Sequence, residues 1–195
     1  MVEAVRFLQS REMFGAIFVD ARYGHIPGTL PLTTVRLENK RSPDIIASYD
    51  FDAEAIVQGF KGMVYTSMSN ERGMHGSFSP IDVHNTLIAS GPDFRQGLRS
   101  ELPSGNVDLA PTLAAVLKLD LGKTDGRVLR EAVAGRDDTG LTVKTNDVAT
   151  DNATGLNVLR VDGSPMNRST YRFILKTKQL QDGGKTYTYF DQEQA

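Results

Sequence analysis

The sequence predicts a mixed α/β fold with an antiparallel β extension at its C-terminal end. Three observations predict it. A short helical repeat near the start runs directly into a compact apolar strand, the order of an αβ unit. A second apolar helix pattern follows Asp108. Residues 155–191 then change character, with Tyr, Phe, Thr and Val in strand-like runs around Asp182-Gly183-Gly184, a hairpin signal. The reading divides the chain into an α/β core over 1–134, a polar linker over 135–154 and the β extension over 155–195.

Val2, Val5 and Leu8, with Ala4 and Phe7 beside them, recur at helical spacing and predict a helix over 3–10. Ala16-Ile17-Phe18-Val19, bounded by Gly15 and Asp20, predicts a buried strand. Tyr23 to Gly28 is turn chemistry, and His25 within it reads as a solvated loop histidine. Leu30, Leu32, Val35 and Leu37 predict a strand interrupted by Pro31, and Asp44 to Tyr49 predicts another. Asp50, Asp52 and Glu54 lack the glycine and the later glutamate of a calcium loop, so they read as a solvated strand end. Gly59 to Met74 reads as a long polar loop, a kind that is uncommon unless it serves a site. Thr86 to Ser90 is an apolar run expected to be a strand, closed by Gly91-Pro92. Asp108 is expected to cap a helix whose apolar face is Leu109, Leu113, Val116 and Leu117. In the extension, Leu156 to Val161, Tyr171 to Thr177 and Lys185 to Phe190 are expected strands.

Composition narrows the function classes. The chain has 195 residues, enough for one domain with a core, and 39% of them are apolar. Its net charge is -2 with both signs interspersed, so the surface has no electrostatic basis for binding a nucleic-acid polymer. The sequence contains no cysteine, which removes disulfides and thiolate metal sites. No apolar run approaches the ~20 residues that span a bilayer. Met1 to Arg6 lacks a signal-peptide layout. As written the chain is expected in the cytoplasm, and in the periplasm or outside the cell if it belongs to a longer exported protein.

The remaining signal is concentrated in Gly73-Met74-His75-Gly76-Ser77-Phe78-Ser79-Pro80. Glycines on both sides of Met74-His75 let the backbone pass close to a ligand. The segment, together with Leu87-Ile88-Ala89, Gly91-Pro92-Asp93-Phe94, Asn106 to Thr112 and Asp125 to Leu129, resembles the alkaline phosphatase superfamily. The likeness is to bacterial hydrolases of the type I phosphodiesterase/nucleotide pyrophosphatase kind. It runs from about Gly15 to the C-terminus and corresponds to the C-terminal part of that catalytic unit. The fold it implies is a partial layered sheet with flanking helices.

The chemistry implied is zinc-dependent hydrolysis of phosphoric esters. Two metal ions about 4 Å apart clamp the attacking and leaving oxygens, and a metal-activated Ser or Thr attacks phosphorus. The resemblance places His75 as the last histidine ligand. The other ligands and the nucleophile loop lie upstream in the family, so about one ligand of six is present. The chain is therefore expected to bind zinc weakly and to be inactive alone. Its expected partners are the missing N-terminal half or a second copy through exposed sheet, with a phosphate ester as the substrate of the complete enzyme. A self-contained mononuclear site of His75, Asp82 and His84 is the rival metal reading. Ser77 and Ser79 read as turn hydroxyls that bond the backbone. A non-catalytic interaction or structural module is the alternative from a different class.

Overall fold

The structure, a computed structural model, describes residues 1–65 and 76–194. In chain order the elements are α1 (Val2–Gln9), β1 (Phe14–Val19), β2 (Leu30–Pro31), β3 (Ile45–Tyr49), β4 (Phe51–Val57), β5 (Phe60–Val64), α2 (Pro80–Val83), α3 (Leu109–Leu117), β6 (Thr142–Ala149), β7 (Ala153–Thr154), β8 (Thr170–Tyr171), β9 (Ile174–Asp182) and β10 (Lys185–Gln194). The fold is thus mixed α/β and mostly strand. No helix among the described residues is long and apolar enough to cross a membrane.

The chain separates into two compact units. The first comprises Met1–Asn85, Asp147–Lys176 and Asp191–Ala195; the second comprises Thr86–Asn146 and Thr177–Phe190. A three-stranded sheet has the order β10-β9-β6. β9 and β10 are joined by the two-residue turn Gly183-Gly184, whose φ values of 55° and 81° match the primed hairpin turns that follow strand twist.

In the first unit β1 is the centre of a sheet ordered β2-β1-β3, parallel to β2 and antiparallel to β3. Its Phe-Gly-Ala-Ile-Phe-Val sequence offers no polar side chain to either face, and Ala16, Ile17 and Phe18 are fully buried. Such a continuous apolar run suits a strand covered on both sides. α1 adds Val5 and Gln9 to this core, Gln9 being held by a 2.8 Å bond to the Pro27 carbonyl. Phe18 packs on Phe173, with ring centres 5.8 Å apart, and on Phe78, at 5.6 Å. β4 and β5 form a separate antiparallel hairpin about Gln58-Gly59.

Several expectations are corrected. Only Leu30-Pro31 joins the sheet; Leu32–Val35 turns into a 3-10 helix and Arg36 takes a left-handed backbone. Proline has no N–H to extend the ladder. Within the expected loop from Gly59 to Met74, Phe60–Val64 is a strand, β5, and residues 66–74 lie outside the described part. Thr86 to Ser90 is not a strand, and Leu87 and Ile88 are exposed. Apolar residues alone do not make a strand without a neighbour to share hydrogen bonds. The polar linker contains β6 and β7, because an exposed strand such as β6 needs no apolar alternation. Leu156 to Val161 makes only isolated bridges, from Leu159 to Arg11 and to Pro165.

α3 is present where expected, but its buried side is not the leucine side. Pro111, Thr112 and Ala114 are buried, whereas Leu109, Leu113 and Leu117 are 38%, 53% and 64% exposed. The Thr112 hydroxyl explains the rotation. It donates to the Asp108 carbonyl at 2.6 Å and accepts from the Leu129 N–H at 3.0 Å. Both bonds are buried, and turning the leucines inward would break the one to Leu129.

Candidate functional site

The segment that carries the family resemblance enters the described structure at Gly76, whose φ of 91° lies where an L side chain is strained. Ser77 follows, and its hydroxyl donates to the Asp82 carboxylate. The Ser79 N–H donates back to the Ser77 oxygen at 3.2 Å. Ser79 is fully buried and caps α2 by accepting from the Ile81 N–H, with Pro80 at the first helical position. That Ser-Pro start is a standard way to open a helix, since proline lacks the N–H that would go unpaired there. Ser79 therefore behaves as the turn hydroxyl expected of it. Ser77 also bonds the backbone, but its own proton goes to a carboxylate.

Asp82 and His84 leave α2 toward different partners. Asp82 holds Ser77, whereas the His84 Nε2 lies 2.9 Å from Asp191 Oδ1 at the end of β10. His75 lies outside the described residues. Among the described residues no three His, Cys, Asp or Glu side chains converge where a metal ion could sit. His25, the third histidine, faces Asp151 at 3.0 Å, and the same carboxylate accepts the Gly28 N–H at 2.8 Å. The described donors therefore do not assemble a zinc site; His25 and His84 each face one carboxylate.

A cavity of about 150 Å³ opens beside Ser77 and Asp82, lined also by Ser48, Tyr49 and Tyr65. Burial raises the pKa of the Tyr65 phenol above its ordinary value, with the charge of Glu12 adding to it. The pocket offers hydroxyls and one carboxylate but, among its described lining residues, no cationic group to neutralise a phosphate.

A second polar group lies deeper in the first unit and was missed by sequence reasoning. Glu193, 1% exposed, places one carboxyl oxygen 2.6 Å from the Ala16 N–H. Its other oxygen is buried with no hydrogen-bond partner among the described residues. Burial pushes this carboxyl up to about 8, against the opposing effect of the Ala16 bond and with a further push from the Asp50 charge. Asp50 is itself raised, mainly by burial. The alternation of β10 offered a weak signal, since Glu193 falls in phase with Tyr189 and Asp191.

In the second unit the later motifs of the resemblance meet in one buried network. Asp108 does not cap α3 with its side chain. It accepts from the Gly105 N–H at 2.9 Å, the Arg127 N–H at 2.8 Å and the Tyr189 hydroxyl at 3.0 Å. Arg127, 2% exposed, forks onto both oxygens of Glu131 at 2.7 and 2.8 Å. Burial disfavours the Arg127 charge, yet its bonds to Glu131 more than offset this and hold its pKa above the ordinary value. Gly126 is required here, because a Cβ would sit 2.0 Å from the Val107 carbonyl oxygen. The network is internally satisfied and leaves Arg127 no donor aimed at a ligand, so its chemistry is structural.

Comparison of the chain with protein-family models, curated proteins and solved structures yields no match.

Proposed function

We propose that the chain is the C-terminal portion of a zinc-dependent phosphoric-ester hydrolase of the alkaline phosphatase kind, contributing His75 as one metal ligand and inactive alone. The observation that carries this reading is the ordered set of motifs from Gly73 to Leu129, in which a glycine-flanked histidine precedes Gly91-Pro92-Asp93-Phe94, the Asp108 helix and Asp125-Gly126-Arg127. Two structural features support it. Gly76 takes a backbone that favours glycine, and the Asp108 and Asp125 motifs knit into one folding unit. The layered sheet of such enzymes would be completed by the part of the catalytic unit that carries the nucleophile. The exposed leucines of α3 would then meet that part or, without it, a second copy.

Calorimetric titration of zinc into the chain and into His75→Ala tests the ligand count. Weak binding in both, with no hydrolysis of bis(p-nitrophenyl) phosphate, is expected, because tight zinc sites need several converging ligands. Submicromolar binding that His75→Ala abolishes would overturn the reading and establish the His75, Asp82 and His84 site in its place. The coding DNA upstream tests the family. An in-frame Asp-His pair and an Asp-Ser or Asp-Thr loop are expected there.

A non-catalytic module is the second reading. The observation favouring it is that Asp82 and His84 are each committed to a partner within the fold, Ser77 and Asp191. Upstream DNA without those motifs would support it.

A further inference from the structure

The last residues of β10 lie against the segment that carries the candidate site. The Glu193 N–H donates to the Phe78 carbonyl at 3.1 Å, and Asp191 holds His84. The Glu193 side chain reaches past Phe78 to β1, where its carboxyl bonds the Ala16 N–H. Gly15 makes room for it: a Cβ at that position would fall 1.8 Å from the unpartnered Glu193 oxygen. The space is thus filled by a carboxyl group that receives one N–H and, among the described residues, no cation.

We propose that Asp191–Gln194 is a pH-sensitive strap that holds the Gly76–His84 segment closed while the Glu193 carboxyl is neutral and loosens when it ionises. A neutral carboxyl tolerates burial with one hydrogen bond, whereas a carboxylate there is a nearly uncompensated buried charge. The groups facing it do not relieve that charge. Asp50, just before β4, repels it. Tyr171 of β8 gives its proton to the Gly15 carbonyl, and burial, before any charge on Glu193, holds that phenol protonated. Arg168 acts on Asp50 and Tyr171. β1 presents Gly15 and Ala16, and the candidate segment presents Phe78, none of which is charged. Neither tether involves His75, so the strap operates with or without zinc chemistry.

Once the strap opens, Glu193 meets water and titrates near the ordinary carboxyl value of 4.5, against about 8 when closed. Opening is therefore linked to proton loss between those values.

Amide hydrogen exchange by NMR on the full chain, expressed as protection relative to the free peptide rate, tests this. Protection of the Ala16 and Glu193 amides is expected to fall about tenfold per pH unit from about pH 5.5 to 7.5. The Phe18 amide in the same strand serves as the reference and is expected to change less. Glu193→Gln keeps the shape and the acceptor but cannot ionise, and its profile is expected to be flat. Asp50→Asn removes the repelling carboxylate, so the fall is expected to level off at a lower pH. A fall that persists in Glu193→Gln, a flat profile in the wild type, or an equal fall at Phe18 would each overturn the strap.

Discussion

Both units bury an ionisable residue of β10's neighbourhood or of β10 itself, but they satisfy it in opposite ways. In the second unit Arg127 meets both oxygens of Glu131, and Asp108 collects three donors, including the Tyr189 hydroxyl of β10. In the first unit Glu193, four residues further along β10, has one N–H and a neighbouring carboxylate. A buried ion pair with its lone pairs satisfied is insensitive to pH over the neutral range but intolerant of losing one partner. A buried acid without a cation is the reverse: it survives by staying protonated, and pH controls it. One strand therefore carries a fixed anchor at Tyr189 and a titratable one at Glu193.

The largest expected effect breaks the fixed anchor. Glu131→Gln leaves the Arg127 charge buried without its counter-charge and is expected to destabilise the fold by about 3–5 kcal/mol in urea denaturation. Replacing both partners by apolar residues, Arg127→Met with Glu131→Leu, is expected to cost much less than the single change. If the single and double variants are equally destabilised, packing around Arg127 rather than its charge holds the network.

The titratable anchor gives an effect that is spread over pH and whose sign is set by linkage. The Glu193 pKa is raised on folding from 4.5 to about 8. Between those values the folded chain binds a proton that the unfolded chain has released. Stability from this group is complete below the unfolded value and is lost as pH rises through the folded one, by about 1.4 kcal/mol per pH unit at most. Urea midpoints of wild type and Glu193→Gln are expected to diverge from acid to neutral pH in favour of the glutamine variant, then run parallel. Parallel curves throughout would mean that Glu193 is charged in the folded state. Ser79→Ala, which removes the α2 cap, comes next, at about 1 kcal/mol.

Much of the framework was legible because it rests on local rules. α1, β1, β3, α3 and the Gly183-Gly184 hairpin follow from apolar periodicity and turn chemistry. The failures share a cause: they depend on partners distant in sequence. Leu109, Leu113 and Leu117 have the spacing of a buried face, and only the Thr112 hydroxyl's bond to Leu129 turns them outward. Thr86 to Ser90 has the composition of a strand and no ladder. At the candidate site the contact between His84 and Asp191 was equally illegible, since it spans 107 residues. Glu193 gave only the weak signal of its phase in β10, since nothing near it in sequence announces that Gly15 has left it a space.

The smallest effect tests whether burial, rather than pairing as such, distinguishes the anchors. His25 and Asp151 form a pair at 3.0 Å in the first unit, but His25 is 70% exposed and Asp151 48%. The Asp151 pKa is lowered, first by the Gly28 N–H and then by His25. Its stability is therefore present above the ordinary carboxylate range and lost as pH falls, opposite in sign to Glu193. Because water screens the pair, His25→Ala is expected to cost about 0–1 kcal/mol at neutral pH. Asp151→Asn is expected to cost more than His25→Ala, since the Gly28 N–H depends on that side chain. Gly28 has a φ of 78° and no room for a Cβ, so the turn has little freedom to find another acceptor. If His25→Ala proved as damaging as Glu131→Gln, exposure would not be what separates weak pairs from strong ones in this protein. The contrast between its two buried anchors would then need an explanation other than solvent access.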